Sequence, residues 1–266
     1  MPTARDIIAL LDAAYPQWLA AEWDAVGLTC GRLDAEVDTV LLAVDPLPQI
    51  VDEAIACGAQ LIVTHHPLFL RGVHGVAATS AKGEVITTCI ENGIALFSAH
   101  TNADHACPGV SDALASALGL RDLRPLVPDA RDATLGTGRI GILPAAMDLE
   151  SFGALVAGAL PATAHGVRIA GDLNAQVRTV AVCGGAGDSF LDAAAQAADV
   201  YVTSDLRHHR AQDHLVDGGC ALVDVAHWAS EWPWLQQAAS VIDGTVRTVV
   251  STTPTDPWAA HQGSAS

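Results

Sequence analysis

Lysine is nearly missing from this chain: Lys82 is the single one in 266 residues, and lysine plus arginine number 13 against 30 acidic groups. The formal net charge is −17, and the basic residues are scattered without a cluster. Gripping nucleic acid through its phosphates requires a positive patch, so an extended nucleic-acid surface is excluded. Long hydrophobic runs are missing too. No apolar stretch approaches the roughly 20 residues that cross a bilayer, and no membrane span is expected. Arg5 and Asp6 precede a short apolar stretch that Asp12 interrupts, which reads as an amphipathic helix start rather than a secretory signal. Cys30, Cys57, Cys89, Cys107, Cys183 and Cys220 contain no CxxC and no tight framework. Four of them lie inside apolar segments, as small buried thiols do, and this usage points to a reducing cytoplasm.

What remains is half hydrophobic and only 16% charged, which excludes a disordered chain and permits a sizeable core. The length suits one large domain or two small ones. Short aliphatic runs alternate with longer amphipathic ones. Thr39–Val44, Leu61–Thr64 and Ile94–Ser98 read as strands, with helices over Pro48–Cys57, Ser80–Glu91 and Val110–Leu118. Residues 121–137 hold two prolines, a glycine and several charges without a period, and read as a linker. The alternation then resumes, with strands at Arg139–Leu143, Val167–Ala170, Val177–Cys183, Val200–Thr203 and Ala221–Val225. Helices are expected over Asp148–Leu160, Ser189–Ala197 and Leu206–Val216. This is an α/β pattern on a largely parallel sheet.

The second half echoes the first. TVLLAVDPLPQIVDEAIACGAQLIVT (39–64) resembles TVAVCGGAGDSFLDAAAQAADVYVT (179–203), and GIALFSAH (93–100) resembles GCALVDVAH (219–227). Each echo continues as His, three residues, then an acid: His100 to Asp104 and His227 to Glu231. Two related α/β halves follow, with equivalent polar groups at their strand ends. The expected division is residues 1–127 with 226–266 as one domain and 128–225 as the other.

Histidine is the surplus, 11 in all. His65 and His66 directly follow LIVT, and α/β proteins gather ligands beyond the carboxyl ends of their strands. Adjacent residues in an extended segment point in opposite directions, so two neighbouring metals would take one each. Asp104 lies just past another strand. If a helix begins near Ala226, a spacing of four puts His227 and Glu231 on one face. Imidazole with carboxylate suits Zn, Fe or Mn, and a carboxylate can bridge two ions. His100 is read as a proton donor or a support for the ligands, and Asp205 or His209 as part of a cleft wall. WDAVGL (23–28) reads as a structural turn, and CGGAGDS (183–189) as either a tight turn or a substrate-facing loop. His74, His105, His165, His214 and His261 read as ordinary, and Trp228, Trp232 and Trp234 as packing.

Taken in order, WDAVGL, THHP (64–67), SAHTNAD (98–104), CGGAGDS, VYVTSD (200–205) and AHWASE (226–231) resemble the Nif-three-like proteins, whose members are often described as type II homologues of GTP cyclohydrolase I. The resemblance spans nearly the whole chain. It implies two interlocked α/β domains with a dinuclear metal centre in the cleft between them, in a toroidal homohexamer. It carries ligands onto His65, His66, Asp104, His227 and Glu231. Glu231 would bridge, with His66 and Asp104 on one ion and His65 and His227 on the other. The chain is the short form, without the extra inserted domain of longer relatives. Ser204 and Ala226 stand where glycine is usual and are expected to narrow the cleft; Ala103 replaces a larger aliphatic. The expected function is a metal-dependent hydrolase with two divalent ions, acting on a nucleotide or other small phosphate-bearing molecule. His100 or His209 would then transfer protons. The alternative is a non-catalytic metal-binding assembly protein for storage, sensing or partner interaction.

Overall fold

The computed structural model describes residues 1–263. In chain order the elements are α1 (Ala4–Ala14), β1 (Gly27–Cys30), β2 (Thr39–Ala43), α2 (Pro48–Cys57), β3 (Leu61–Thr64), α3 (Ala81–Glu91), β4 (Ala95–Ser98) and α4 (Thr101–His105). They continue as α5 (Val110–Ala117), β5 (Arg121–Pro128), β6 (Gly136–Asp148), α6 (Leu149–Ala159), β7 (Val167–Ala170), β8 (Gln176–Ala186), α7 (Leu191–Ala195) and β9 (Val200–Ser204). The last are α8 (His208–Val216), β10 (Ala221–Val225), α9 (His227–Glu231), α10 (Pro233–Val241) and β11 (Arg247–Val250). Among the described residues no helix is long and apolar enough to cross a membrane.

The chain divides into two compact units. The first comprises Met1–Ala106 with Leu235–Thr255, and the second Cys107–Trp234 with the chain from Asp256. In the first, five strands lie in the order β1-β4-β3-β2-β11, all parallel except β1. The strands β2, β3 and β4 are buried along their whole length, which is why they read as continuous aliphatic runs rather than alternating ones. Helix α2 begins with Pro48 and stops at Gly58, whose φ of +71° provides the left-handed cap that other residues resist. Ile50, Val51 and Ala54 of α2, and Val85, Ile86 and Cys89 of α3, pack onto Leu41, Ile62 and Leu96 of the sheet.

The second unit carries six strands in the order β5-β6-β8-β9-β10-β7. Its parallel trio β8-β9-β10 repeats β2-β3-β4, and β7 runs antiparallel to β10 as β1 does to β4. The sequence echo is therefore an echo of topology, extended by one antiparallel edge strand on each sheet. The stretch expected to be a linker is instead the β5–β6 pair, with Pro125 opposite Arg139 and Val127 opposite Thr137. The prolines are tolerated because β5 is the edge strand, where a missing N–H breaks no central ladder bond.

Candidate metal centre

In the first unit three neighbouring strand ends deliver polar groups to one place. Asp45 follows β2, His65 and His66 follow β3, and His100 and Asp104 follow β4, with His100 capping α4. The chain bends after Thr64, and the two adjacent imidazoles come together with ring centroids 5.0 Å apart. They do not diverge as an extended segment would require. The ring of His100 is 5.2 Å from that of His65 and 5.4 Å from that of His66. One ligand nitrogen from each of these three residues lies within 4.8 Å of the others. His65 is fully buried, and its Nε2 is 3.7 Å from Asp104 Oδ1.

The second unit presents the equivalent strand end. Helix α9 begins at His227 directly after β10, and the expected spacing of four brings His227 Nε2 to 3.0 Å from Glu231 Oε1. Glu231 is 3% exposed. The negative charge of Glu231, with a hydrogen bond to Asp205, pushes the His227 pKa up to about 11 and outweighs the opposing effect of burial. Without a metal the pair is an imidazolium–carboxylate ion pair. The hydrogen bond from His227 in turn holds the Asp205 carboxyl below its usual range.

One feature recurs at all four histidines: Nδ1 is engaged, while Nε2 of His65 and of His227 faces a carboxylate oxygen. His65 Nδ1 donates to the Ala99 carbonyl at 3.0 Å, His66 Nδ1 to Asp45 Oδ1 at 2.7 Å, His100 Nδ1 to Asp24 Oδ1 at 2.9 Å, and His227 Nδ1 to Asp205 Oδ2 at 2.7 Å. Metal-ligating histidines characteristically donate the second ring N–H to a carboxylate or carbonyl, which fixes the tautomer and aims the ring. The imidazole and carboxylate donors therefore fit a divalent ion of the Zn, Fe or Mn type. Asp24 belongs to WDAVGL, so that segment is more than a turn. Its side chain is fully buried. Burial alone would raise its pKa, but hydrogen bonds from His100 and Thr101 overcome this and hold it well below the usual carboxylate range. Asp205 adopts φ of +58°, a left-handed conformation that aspartate tolerates better than most residues.

The glycine-rich segment 183–187 brings backbone up to the second pair. A Cβ on Gly185, where φ is +70°, would lie 2.5 Å from Glu231 Oε1 and 3.2 Å from His227 Nε2. The same holds at Gly187, where a Cβ would lie 2.1 Å from Thr203 Oγ1. Close approach at Gly185 and Gly187, together with the left-handed backbone at Gly185, is what this loop requires of glycine. Ser204 is fully buried and donates to Ser230 Oγ at 3.1 Å, while the Gly185 N–H donates to that same oxygen at 2.9 Å. Ser204 thus ties β9 to α9 and the loop. His209 lies exposed on the first turn of α8, its ring 4.9 Å from that of His208. His105, His165 and His214 bond the Leu19 carbonyl, Asp224 and the Cys220 carbonyl, as ordinary structural histidines do.

The family model for Duf34/NIF3 (NGG1p interacting factor 3) matches residues 2–257. A protein of Streptomyces coelicolor named GTP cyclohydrolase 1 type 2 homolog is 50% identical, with all of this chain and 96% of the relative covered. Among solved structures, a Bacillus cereus protein related to NIF3 superposes with a TM-score of 0.87 at 29% identity, covering 97% of this chain and 99% of the other. A Staphylococcus aureus hypothetical protein matches with the same score, identity and coverage. The chain belongs to the Duf34/NIF3 family.

Proposed function

We propose that the protein binds two divalent metal ions through His65, His66, Asp104, His227 and Glu231 and hydrolyses a nucleotide or related small phosphate-bearing molecule. The observation that carries this reading is the bracing of each of four imidazoles at Nδ1 by a carboxylate or carbonyl. The names of the curated relatives point toward GTP chemistry. A divalent pair supplies Lewis acidity and lowers the pKa of water near it. The chain's own part is to hold the ligands and keep part of the site open: the His66, Asp104 and His227 side chains are 22%, 23% and 33% exposed. Solvent access of this kind favours catalysis over a sealed structural site. His100 serves beside the ions as ligand or proton carrier through Nε2. The toroidal homohexamer and the cytoplasmic setting belong to the same proposal; light scattering of the purified protein tests the first.

Purified protein is expected to carry close to two equivalents of metal by elemental analysis, and His65→Ala and Glu231→Ala to carry clearly less. Metal-loaded protein is expected to turn over a nucleotide, phosphoester or cyclic amide faster than Glu231→Ala. Unchanged metal content in both variants would overturn the metal site. Full metal content with no turnover above Glu231→Ala would leave the non-catalytic assembly protein as the reading, which the burial of His65 and Glu231 suits.

The bracing carboxylates should matter nearly as much as the ligands. Asp24→Asn keeps shape but weakens the bond that aims His100. With His100 as a ligand, this is expected to lower metal affinity by about 10–100-fold, read by competition with a chromophoric chelator, with the thermal midpoint of the metal-free protein little changed. Unaltered affinity would show that His100 needs no such support.

A further inference from the structure

Adjoining His66 on the side of α3, the first unit contains a cavity of about 180 Å³. Asp45 and His66 line one part of it, and Pro46, Leu47 and Leu68 give the rest a mainly apolar character; Lys82 completes the lining. A dry cavity of about 150 Å³ accommodates benzene, so this space takes one six-membered ring and not a whole purine nucleotide.

The charges at its wall are unequal in how far they are satisfied. Asp45 uses Oδ1 to accept from His66 Nδ1 and Oδ2 to accept from the Thr255 hydroxyl. The Lys82 ammonium donates once, to the Leu68 carbonyl at 2.6 Å, and lies 5.5 Å from the centre of the Phe69 ring. The chain's single lysine is exposed at the first turn of α3, and among the described residues no carboxylate pairs with it. An ammonium carries three N–H groups, and the carbonyl takes one.

We propose that this cavity is a binding subsite for a small organic anion with a single ring. The ring rests on the proline and leucine wall, and its phosphate or carboxylate group is held by Lys82. The inference rests on the metal-site reading for one point only, that His66 faces the reacting part of the same molecule. Ring and charge are recognised by this chain whether or not the ions are present. Lysine serves here as a point charge, a common means of holding phosphate.

Phenyl phosphate is the probe, with phenol and inorganic phosphate as single-feature controls, titrated by calorimetry into the full-length protein with and without added Mn²⁺. Phenyl phosphate is expected to bind more tightly than either control. Lys82→Ala should weaken it by about tenfold or more, the weight of a charge-assisted hydrogen bond. Ala81 also lines the cavity and is exposed at the first turn of α3. Ala81→Leu fills the space without altering charge, and it should weaken phenyl phosphate while leaving inorganic phosphate unaffected. Both variants should retain the metal content of the wild type. Binding that survives both substitutions but vanishes in Glu231→Ala would place the anion on the metals and overturn the subsite, leaving the metal reading intact. Binding that depends on Lys82 in a protein that takes up no metal would support the subsite and overturn the metal reading. No binding of phenyl phosphate under either condition overturns the subsite.

Discussion

Arg139→Ala is expected to destabilise the protein by about 3–5 kcal/mol, the cost of removing one partner from a buried ion pair. Arg139 is 1% exposed, and its guanidinium grips Asp112 through Nε at 2.9 Å and a terminal nitrogen at 2.7 Å. Its other terminal nitrogen donates to the Gly136 and Gly138 carbonyls at 2.7 and 2.8 Å. Asp112 also accepts from the Gly109 N–H at 2.7 Å and so caps α5. Truncation therefore strands a carboxylate in a nearly dry place and leaves two carbonyls short of a donor. Because domains are stable by only about 5–15 kcal/mol in total, a large shift of the urea midpoint is expected. The double variant Arg139→Met/Asp112→Asn should regain part of the loss, since asparagine leaves no charge behind and still offers an oxygen to Gly109. A midpoint unchanged by Arg139→Ala would show that the pair adds nothing. Running both with a chelator separates this effect from metal binding.

The same residue shows where sequence reasoning ran out. Residues 121–137 look like a linker because prolines and charges interrupt every period. Composition does not reveal that β5 is an edge strand, nor that the arginine opening the next apolar run is neutralised by an aspartate 27 positions earlier. The central strands were legible for the opposite reason, since full burial writes itself as an unbroken aliphatic run.

The candidate site divides in the same way. His65, His66, His227 and Glu231 stand directly at strand ends or at helical spacing, which are local signals. The braces are not local. Asp24 meets His100 across 76 positions, and Asp45 meets His66 across 21. A signal for Asp45 did exist, because it follows an aliphatic strand just as His65 does. Asp205 carried the same signal, but its left-handed backbone, which accompanies a bond to His227, has no signature in a single sequence.

Gly185→Ala is expected to abolish metal binding with little loss of fold. Two effects act at this position and can be told apart. The first is backbone strain: φ of +70° costs a residue with a Cβ about 1–2 kcal/mol. The second is steric, because the new methyl would sit 2.5 Å from Glu231 Oε1 and 3.2 Å from His227 Nε2. Glu231 Oε1 is the end of a rotatable side chain, so the clash is relieved by turning the carboxylate aside rather than by unfolding. That same rotation withdraws Glu231 Oε1 from His227. Metal affinity should fall by about 100-fold or more, at least the upper range seen when ligand orientation is lost. Gly58→Ala is the control, since φ there is +71° and a Cβ would meet nothing within 4 Å. Both variants should lose similar stability in the presence of chelator. With metal at about 100 times its dissociation constant, the wild type and Gly58→Ala should each gain about 2.7 kcal/mol, and Gly185→Ala should gain almost nothing. Equal stabilisation of all three proteins by metal would mean that Glu231 does not hold an ion from this position.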